Sequence, residues 1–444
     1  MTQRAHTVRW LVGSTAYNVH IQNIARAIYE ADDLYEFRTG GVDNVRWPPL
    51  RWARQGVSVA LPGLDRQLSR RQVSQLPPEV VRANWLWELP RVLASRLTSG
   101  ESLEDWLWER SEKALDRNCA RIVCRPDVGG FLGVEHGALA SLRAARALGK
   151  PGVVAYLSPH HRTRAKWVDV EFDRDPALLT PGRARSERLA PLRDERRDEE
   201  ATTATWIETG STFTTRSLVD AGLPPEKILT VPMGGPDPIS ERSLPTQAPS
   251  NCRFAYVGPV SVRKGAHYLL RAWNRISGRG AQLHLYGKVL LSSTSAQLLI
   301  IQPRGAPAAF HGSVPSAELH DVYLQSSVLV LPTLCDGFGM VVAEALAHGL
   351  PVITTSNAGA ADLVEHGRTG FVIPPANEDA LSACMQWCVD NPAALFAMRR
   401  AALAAAARWT WADFRRRHTA VLNEALGTGV VSDAPGPLEG CASA

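Results

Sequence analysis

The sequence predicts an α/β protein made of two units, each a parallel sheet alternating with helices. Short apolar strand patterns alternate with amphipathic helical patterns along most of the chain. A stretch rich in proline and serine, PDPISERSLPTQAPS at 236–250, breaks that rhythm near the middle and reads as a linker. At 444 residues the chain is also too long for one ordinary core.

The first unit opens with the strand pattern VRWLVG, the loop STAYNVH and a helix over 21–31. The loop is not GxGxxG, which argues against a dinucleotide-binding front end. From 46 to 108 the chain is rich in arginine and holds Trp47, Trp52, Trp85, Trp87, Trp106 and Trp108. Core and domain packing is the first reading of these rings, and an aromatic, basic surface for a lipid or glycan acceptor the second. ARIVC reads as a strand ending near Cys124, RPDVGGFLGVEHG as a loop and ALASLRAARALG as a helix. GVVAYL is a strand ending at Ser158-Pro159-His160-His161. The mixed charge run at 183–200 reads as a solvated helix or loop. TATWIETGS is a strand, TTRSLVDAG a helix stopped by Gly222, and ILTVPMGG a strand.

The second unit repeats the rhythm. CRFAYVG, AQLHLYG, SVLVLPT, PVITTS and GFVIPP read as strands, with helices at AHYLLRAWNRI, at AELHDVYLQS and from Glu378. SVLVLPT is nearly all apolar, as in a strand buried on both faces. RWTWADFRRRHTAVLNEAL is a last helix whose aromatics Trp409, Trp411 and Phe414 are expected to pack against protein, leaving Arg415 to Arg417 wetter, and GTGVVSDAPGPLEGCASA is expected to be disordered. No short sequence repeat is evident.

Composition narrows the functional classes. The chain is 45% hydrophobic and 21% charged, which is ordinary for a globular protein. A net charge of +5 is mild, and no concentrated Lys/Arg block points to nucleic acid. The seven cysteines form no CxxC pair, and Cys384 and Cys388, on one helix face, have no histidine cluster with them. Reduced thiols are expected rather than a zinc site, which points to the cytoplasm. The start, MTQRAHTVRWLVGST, lacks the long apolar core of a signal peptide, and no run reaches membrane-spanning length.

The chemistry concentrates in DGFGMVVAEALAHGLPV, 336–352. Asp336 is expected outside the carboxyl end of the SVLVLPT strand, where open α/β sheets bind ligands. Gly337 and Gly339 let backbone approach a ligand, and the helix that follows, over 339–348, offers unpaired N–H groups suited to phosphate. Glu344 lies roughly 7–8 Å along that helix from Gly339. The two acids are placed to grip two parts of an elongated polar ligand, too far apart for an acid/base dyad. A turn aspartate and an exposed helix glutamate is the competing reading. The loop PVSVRKG brings Arg263 and Lys264 to the same sheet edge. Only six of the 49 basic residues are lysines, so a lysine at 264 is against the chain's habit and suits a compact point charge.

The segments YVGPVSVRKGAHYLLRAW, FHGSVPSAELHDVYLQSSVLVLP, DGFGMVVAEALAHGLPVITTSNAGAADLV and GRTGFVIPP together resemble the donor half of the retaining glycosyltransferases of family four. The resemblance is strong over 251–392. In the first half, NVHIQNIARAIYEA and KILTVPMGG are similar to family segments. It implies the GT-B fold: two Rossmann-like, doubly wound domains facing across a cleft, with a C-terminal helix crossing back. The boundaries implied are an acceptor domain at 1–238 with the crossing helix 409–426, a donor domain at 251–408 and a tail at 427–444.

By this resemblance the chain moves a sugar from a UDP-, GDP- or other nucleoside-diphosphate sugar to a glycan, lipid or small-molecule acceptor, with retention at the anomeric carbon. Asp336 would bind donor-sugar hydroxyls and Glu344 the ribose hydroxyls. Gly337, Phe338 and Gly339 would meet the sugar and diphosphate, and Lys264 the diphosphate. The loop at Gly312 falls where the base sits. Two positions depart from the family pattern. Asp336 is one methylene shorter than the usual glutamate, and Pro259 stands where an arginine is usual, leaving Arg263 to supply that charge. A first-domain histidine often assists, and His160 is the candidate, with His161 beside it. The DxD at 173–175 is a chance match, and neither a metal nor a cofactor is expected. The expected location is cytoplasmic, with peripheral contact at the inner membrane face. The rival classes are a non-catalytic nucleotide-binding relative or scaffold and a nicotinamide-dependent oxidoreductase.

Overall fold

A computed structural model describes residues 8–16, 18–42, 71–88, 90–91, 101–249, 251–277, 280–292 and 307–427. The first strand, β1 (Trp10–Ser14), sends Trp10 and Val12 to one apolar layer and Leu11 to another. The same alternation recurs in β4 (Gly130–Val134) and β5 (Gly152–Tyr156), which places apolar cores on both faces of one sheet. With β2 (Leu34–Thr39), β3 (Val81–Ala83), β6 (Trp206–Thr209) and β7 (Ile228–Thr230), all strands pair in parallel in the order β3-β2-β1-β4-β5-β6-β7. A second parallel sheet takes β8 (Arg253–Val257), β9 (Gln282–Tyr286), β10 (Ala309–Gly312), β11 (Val328–Leu331), β12 (Val352–Thr355) and β13 (Gly370–Ile373). Its order is β10-β9-β8-β11-β12-β13. Each sheet reverses its strand order beside its first strand, so each has a switch point of the kind that binds ligands.

Helix α1 (Val19–Glu30) starts where the Asn18 side chain accepts the Ile21 N–H at 3.1 Å. Its Ile21, Ile24, Ala25 and Ile28 form one apolar stripe at helical spacing. Helices α2 (Glu101–Val123), α3 (Leu139–Ala147), α4 (Pro181–Thr203) and α5 (Thr212–Asp220) belong to the first unit. In the second lie α6 (Ala266–Trp273), α7 (Leu319–Gln325), α8 (Met340–Ala347), α9 (Glu378–Asp390) and α10 (Pro392–Ala406).

The last helix, α11 (Trp411–Gly427), returns to the first unit and lies on α1. Thr410 and Asp413 cap it reciprocally, the Asp413 N–H reaching Thr410 Oγ1 at 3.2 Å. Phe414 is fully buried, with its ring centroid 5.1 Å from that of His20. The tail beyond α11, 428–444, lies outside the described residues, as do Trp47 and Trp52.

Three sequence expectations change. ARIVC is not a strand but the last turn of α2, where Cys119, Ile122 and Val123 face the core; the strand is GFLGV, inside the expected loop. A five-residue apolar run cannot separate strand from buried helix, and the strand's glycines hid it. A Cβ on Gly130 would fall 2.8 Å from the Trp10 ring, so glycine is what lets that ring pack. The charge run at 183–200 is helical, yet it is not simply solvated. Glu200 in α4 is fully buried and accepts the backbone N–H groups of His136 and Ala138. Finally, of the last helix's arginines only Arg416 is exposed: Arg415 reaches Glu30 and Asn23, and Arg417 lies over the Trp409 ring.

If α11 completes the first core, Phe414→Ala should destabilise the protein by about 3–5 kcal/mol, and Arg416→Ala by no more than about 0.5 kcal/mol. Urea unfolding measures both.

Candidate functional site

Because all six strands of the second sheet are parallel, one edge collects every loop that follows a strand's carboxyl end. The loops after the neighbours β8 and β11 are fastened together. Gly265 has φ +71°, and a Cβ there would lie 1.8 Å from the Pro332 carbonyl oxygen, so only glycine permits the approach. The Arg263 carbonyl accepts Thr333 Oγ1 and the Leu334 N–H, both at 2.9 Å, and Arg263 Nη1 donates to the Cys335 carbonyl at 3.2 Å.

Asp336 sits where these loops meet, 9% exposed. Lys264 Nζ donates to its Oδ2, and Arg263 Nη1 stands 3.6 Å from its Oδ1. Burial pushes this carboxyl up, but Lys264 and then Arg263 outweigh it and hold Asp336 below the usual carboxylate range. The edge therefore carries a buried carboxylate with two cations, one of which, Arg263, remains half-exposed.

The other expected donor residues occupy the same edge in different settings. Gly339 has φ +90° and opens α8. Glu344, inside α8, accepts a hydrogen bond from the buried Tyr323 hydroxyl at 2.7 Å. Gly312 ends the edge strand β10 with φ +69° and open space around its Cβ position. Phe338 is buried in the second core. Gly337 meets the first unit instead: a Cβ there would fall 1.9 Å from the Leu157 carbonyl oxygen. Its own carbonyl accepts Ser211 Oγ at 2.7 Å and Thr214 Oγ1 at 3.2 Å.

The two units are thus in contact beside Asp336. A helical stretch of the first unit, running through His161–Arg164, Ala165–Asp169 and Val170–Arg174, reaches the second. Its Val168 joins the second core, and the buried Glu171 accepts His267 Nε2 and the Tyr268 hydroxyl, each at 3.1 Å. No sequence signal marked Glu171, since its partners lie almost a hundred positions away. Asp173 and Asp175, the DxD acids, belong to this stretch and its end, where Asp175 Oδ1 accepts the Ala177 N–H.

His160 follows the Leu157–Ser158 backbone that abuts Gly337. It is buried, its Nδ1 accepts the Arg162 N–H at 3.2 Å, and its Nε2 lies 3.1 Å from Asp198 Oδ1. His161 Nε2 shares that oxygen at 2.8 Å. Both ring nitrogens of His160 are therefore engaged inside the first unit. Burial, helped by the neighbouring His161, pushes this imidazole down to about 4 against the opposing pull of Asp198.

A cleft of about 280 Å³ lies at the first sheet's switch point, lined by Thr15, Trp108, Glu112 and Gly137 among others. Thr15 Oγ1 donates to Glu112, and burial pushes the Glu112 carboxyl up to about 7. Beside it Glu135 accepts the N–H groups of Leu157 and Ser158, the same backbone that abuts Gly337. Sequence reasoning passed over Glu112 because the helix that carries it was hidden in the tryptophan-rich region.

The His160 geometry predicts a pH effect. Its folded pKa of about 4 lies below the unfolded value near 6.5, so between the two only the unfolded chain binds the proton. Its contribution is present above about 6.5 and is lost as pH falls toward about 4. His160→Gln should flatten this part of the stability profile, by up to about 3 kcal/mol, in urea unfolding at pH 7 and pH 4.5; identical slopes would contradict it.

Residues 251–391 match the family described as Glycosyl transferases group 1. Glycogen synthase of Mycobacterium tuberculosis is 32% identical over 152 residues, 33% of this chain and 35% of that protein. The chain spans about a third of the length of the curated relatives it matches. Among solved structures, apo lipopolysaccharide outer core galactosyltransferase WaaB aligns at TM-score 0.58 and 13% identity, over 95% of this chain and 99% of that one. Anabaena Alr3699/HepE in complex with UDP aligns at TM-score 0.57 and 16% identity, over 94% and 100%. Together with the two doubly wound parallel sheets and the returning helix, these alignments identify the fold as GT-B.

Proposed function

We propose that this protein is a glycosyltransferase that moves a sugar from a nucleoside-diphosphate sugar to an acceptor with retention of anomeric configuration. The observation that carries the reading is the convergence of Lys264, Arg263 and Asp336 at the switch point of the second sheet, facing the first unit. The group 1 match over the same segment and the UDP complex of a structure with this fold support it.

In this reading Lys264 and Arg263 neutralise the leaving diphosphate, with the Gly339 end of α8 adding its N–H groups. A cation about 4 Å from the developing charge contributes about 4 kcal/mol at an effective dielectric near 20, a large share of a barrier in which about 1.4 kcal/mol is tenfold. Asp336 exchanges part of its contact with the cations for donor-sugar hydroxyls. Glu344, oriented by Tyr323 through one oxygen, keeps its other oxygen for the ribose. The leaving phosphate oxygen takes the acceptor's proton on the same face, so no separate base is required. His160 acts at one remove, holding the turn after β5 whose backbone meets Gly337. The acceptor, a glycan, lipid or small molecule, approaches from the first unit's switch-point cleft. No metal and no resident cofactor takes part. Among the described residues no helix is long and apolar enough to cross a membrane. We place the protein in the cytoplasm, with peripheral contact at the inner membrane face.

Lys264→Ala should lower turnover roughly 100-fold or more; wild-type turnover in a folded variant would refute the assignment.

The two acids should fail differently. Glu344→Gln should weaken calorimetric binding of UDP or GDP roughly tenfold, while Asp336→Asn binds the same diphosphate and transfers sugar poorly. The reverse pattern would exchange their roles.

A further inference from the structure

A larger cavity, of about 760 Å³, opens between α2 and α4 on the first unit, next to the switch-point cleft. Its composition is two-sided. Trp106 and Leu192 line it while remaining 47% and 72% exposed, an unusual exposure for such side chains, and Leu189 adjoins them. On α2, the spacing Arg110, Lys113, Arg117 sets three cations along the same wall. Lys113 and Arg117 have no carboxylate partner among the described residues, and Arg110 lies over the Trp106 ring at 4.8 Å. Arg193 and Arg196, by contrast, are neutralised by Glu109 at 2.9 Å and Asp116 at 3.1 Å.

His136 provides the independent observation. It lines this cavity at the end of β4, 3% exposed, in the left-handed region at φ +77°. A non-glycine residue held there is strained, and such strain gathers at ligand sites. Its ring stacks on Trp108 at 4.6 Å, its Nε2 faces Glu109 at 3.3 Å, and its buried Nδ1 has no partner. The preceding residue, Glu135, holds the Leu157–Ser158 backbone that abuts Gly337. The cavity is therefore tied through one strand end to the donor loop.

We propose that this cavity binds an anionic amphiphile, its charged group set against Lys113 and Arg117 and its apolar body against Trp106 and Leu192. The binding does not depend on the transferase reading; that this ligand is the sugar acceptor does.

The test is calorimetric titration of the full chain with dodecyl phosphate below its micelle concentration. Wild type should show saturable one-site binding, with inorganic phosphate and neutral dodecyl maltoside each weaker by about tenfold or more. The double variant Lys113→Glu/Arg117→Glu, and separately Leu192→Glu, should each weaken dodecyl phosphate by about tenfold or more. UDP titrated into the same proteins reports the donor site separately, and its affinity should not move. Flotation with phosphatidylglycerol vesicles distinguishes the source. Loss of flotation in the same variants assigns the ligand to a bilayer, and wild-type protein that binds only the monomer assigns it to solution. The proposal is overturned if wild type does not bind dodecyl phosphate, if the variants bind it as tightly, or if either control binds equally well.

Discussion

The second unit's chemistry depends on keeping a carboxylate charged where burial opposes charge. At 9% exposure burial opposes the charge on Asp336, and Lys264 and then Arg263 outweigh that opposition. That pairing in turn requires the loops after β8 and β11 to touch, and they touch because residue 265 has no side chain to keep the Pro332 carbonyl away. A single steric allowance thus fixes the electrostatics of the edge. Breaking the pair by removing a cation would leave a buried uncompensated charge, which costs far more than the pair itself contributes.

The first unit meets this edge through backbone contact and through hydrogen-bonded and charged side chains. Gly337 lies against Leu157, and hydroxyls from Ser211 and Thr214 take up its carbonyl. Glu171 binds His267 and Tyr268 from across the boundary, only a few residues beyond Lys264. The units are therefore joined at Gly337 and at the start of α6, and any movement between them must exchange these hydrogen bonds. Such contacts suit an interface that opens and closes, because each partner can be satisfied by water when it parts.

The second unit was largely legible in the sequence. Five of its six strands follow apolar or alternating runs of the expected length and its glycines fall where left-handed turns are needed, whereas the edge strand β10 and helix α10 were not anticipated. The placement of Asp336, Lys264 and Arg263 at one edge followed from strand order alone. The first unit was less legible for identifiable reasons. β4 is built around glycines that accommodate neighbouring rings, so it lacks a strand's usual composition, while the end of α2 imitates one. The charge-rich α4 buries Glu200 against backbone donors at the end of β4, a partnership across more than sixty residues that no local pattern encodes. For His160 the sequence located the turn but not the partner, since Asp198 comes from the same charge-rich helix.

The returning helix has a consequence for the order in which the protein is made. The apolar stripe of α1 belongs to the first residues of the chain, and it is covered by Phe414, Leu422 and Ala425 from the last described helix. During synthesis the whole of the second unit, with its own contiguous sheet, emerges before that cover does. One side of the core that holds Ile21, Ile24 and Ile28 therefore waits for α11 until the second unit has been made. Domains ordinarily fold from the amino terminus forward. Here the first unit is finished only after the second has been made, and its apolar stripe waits for its cover through that interval.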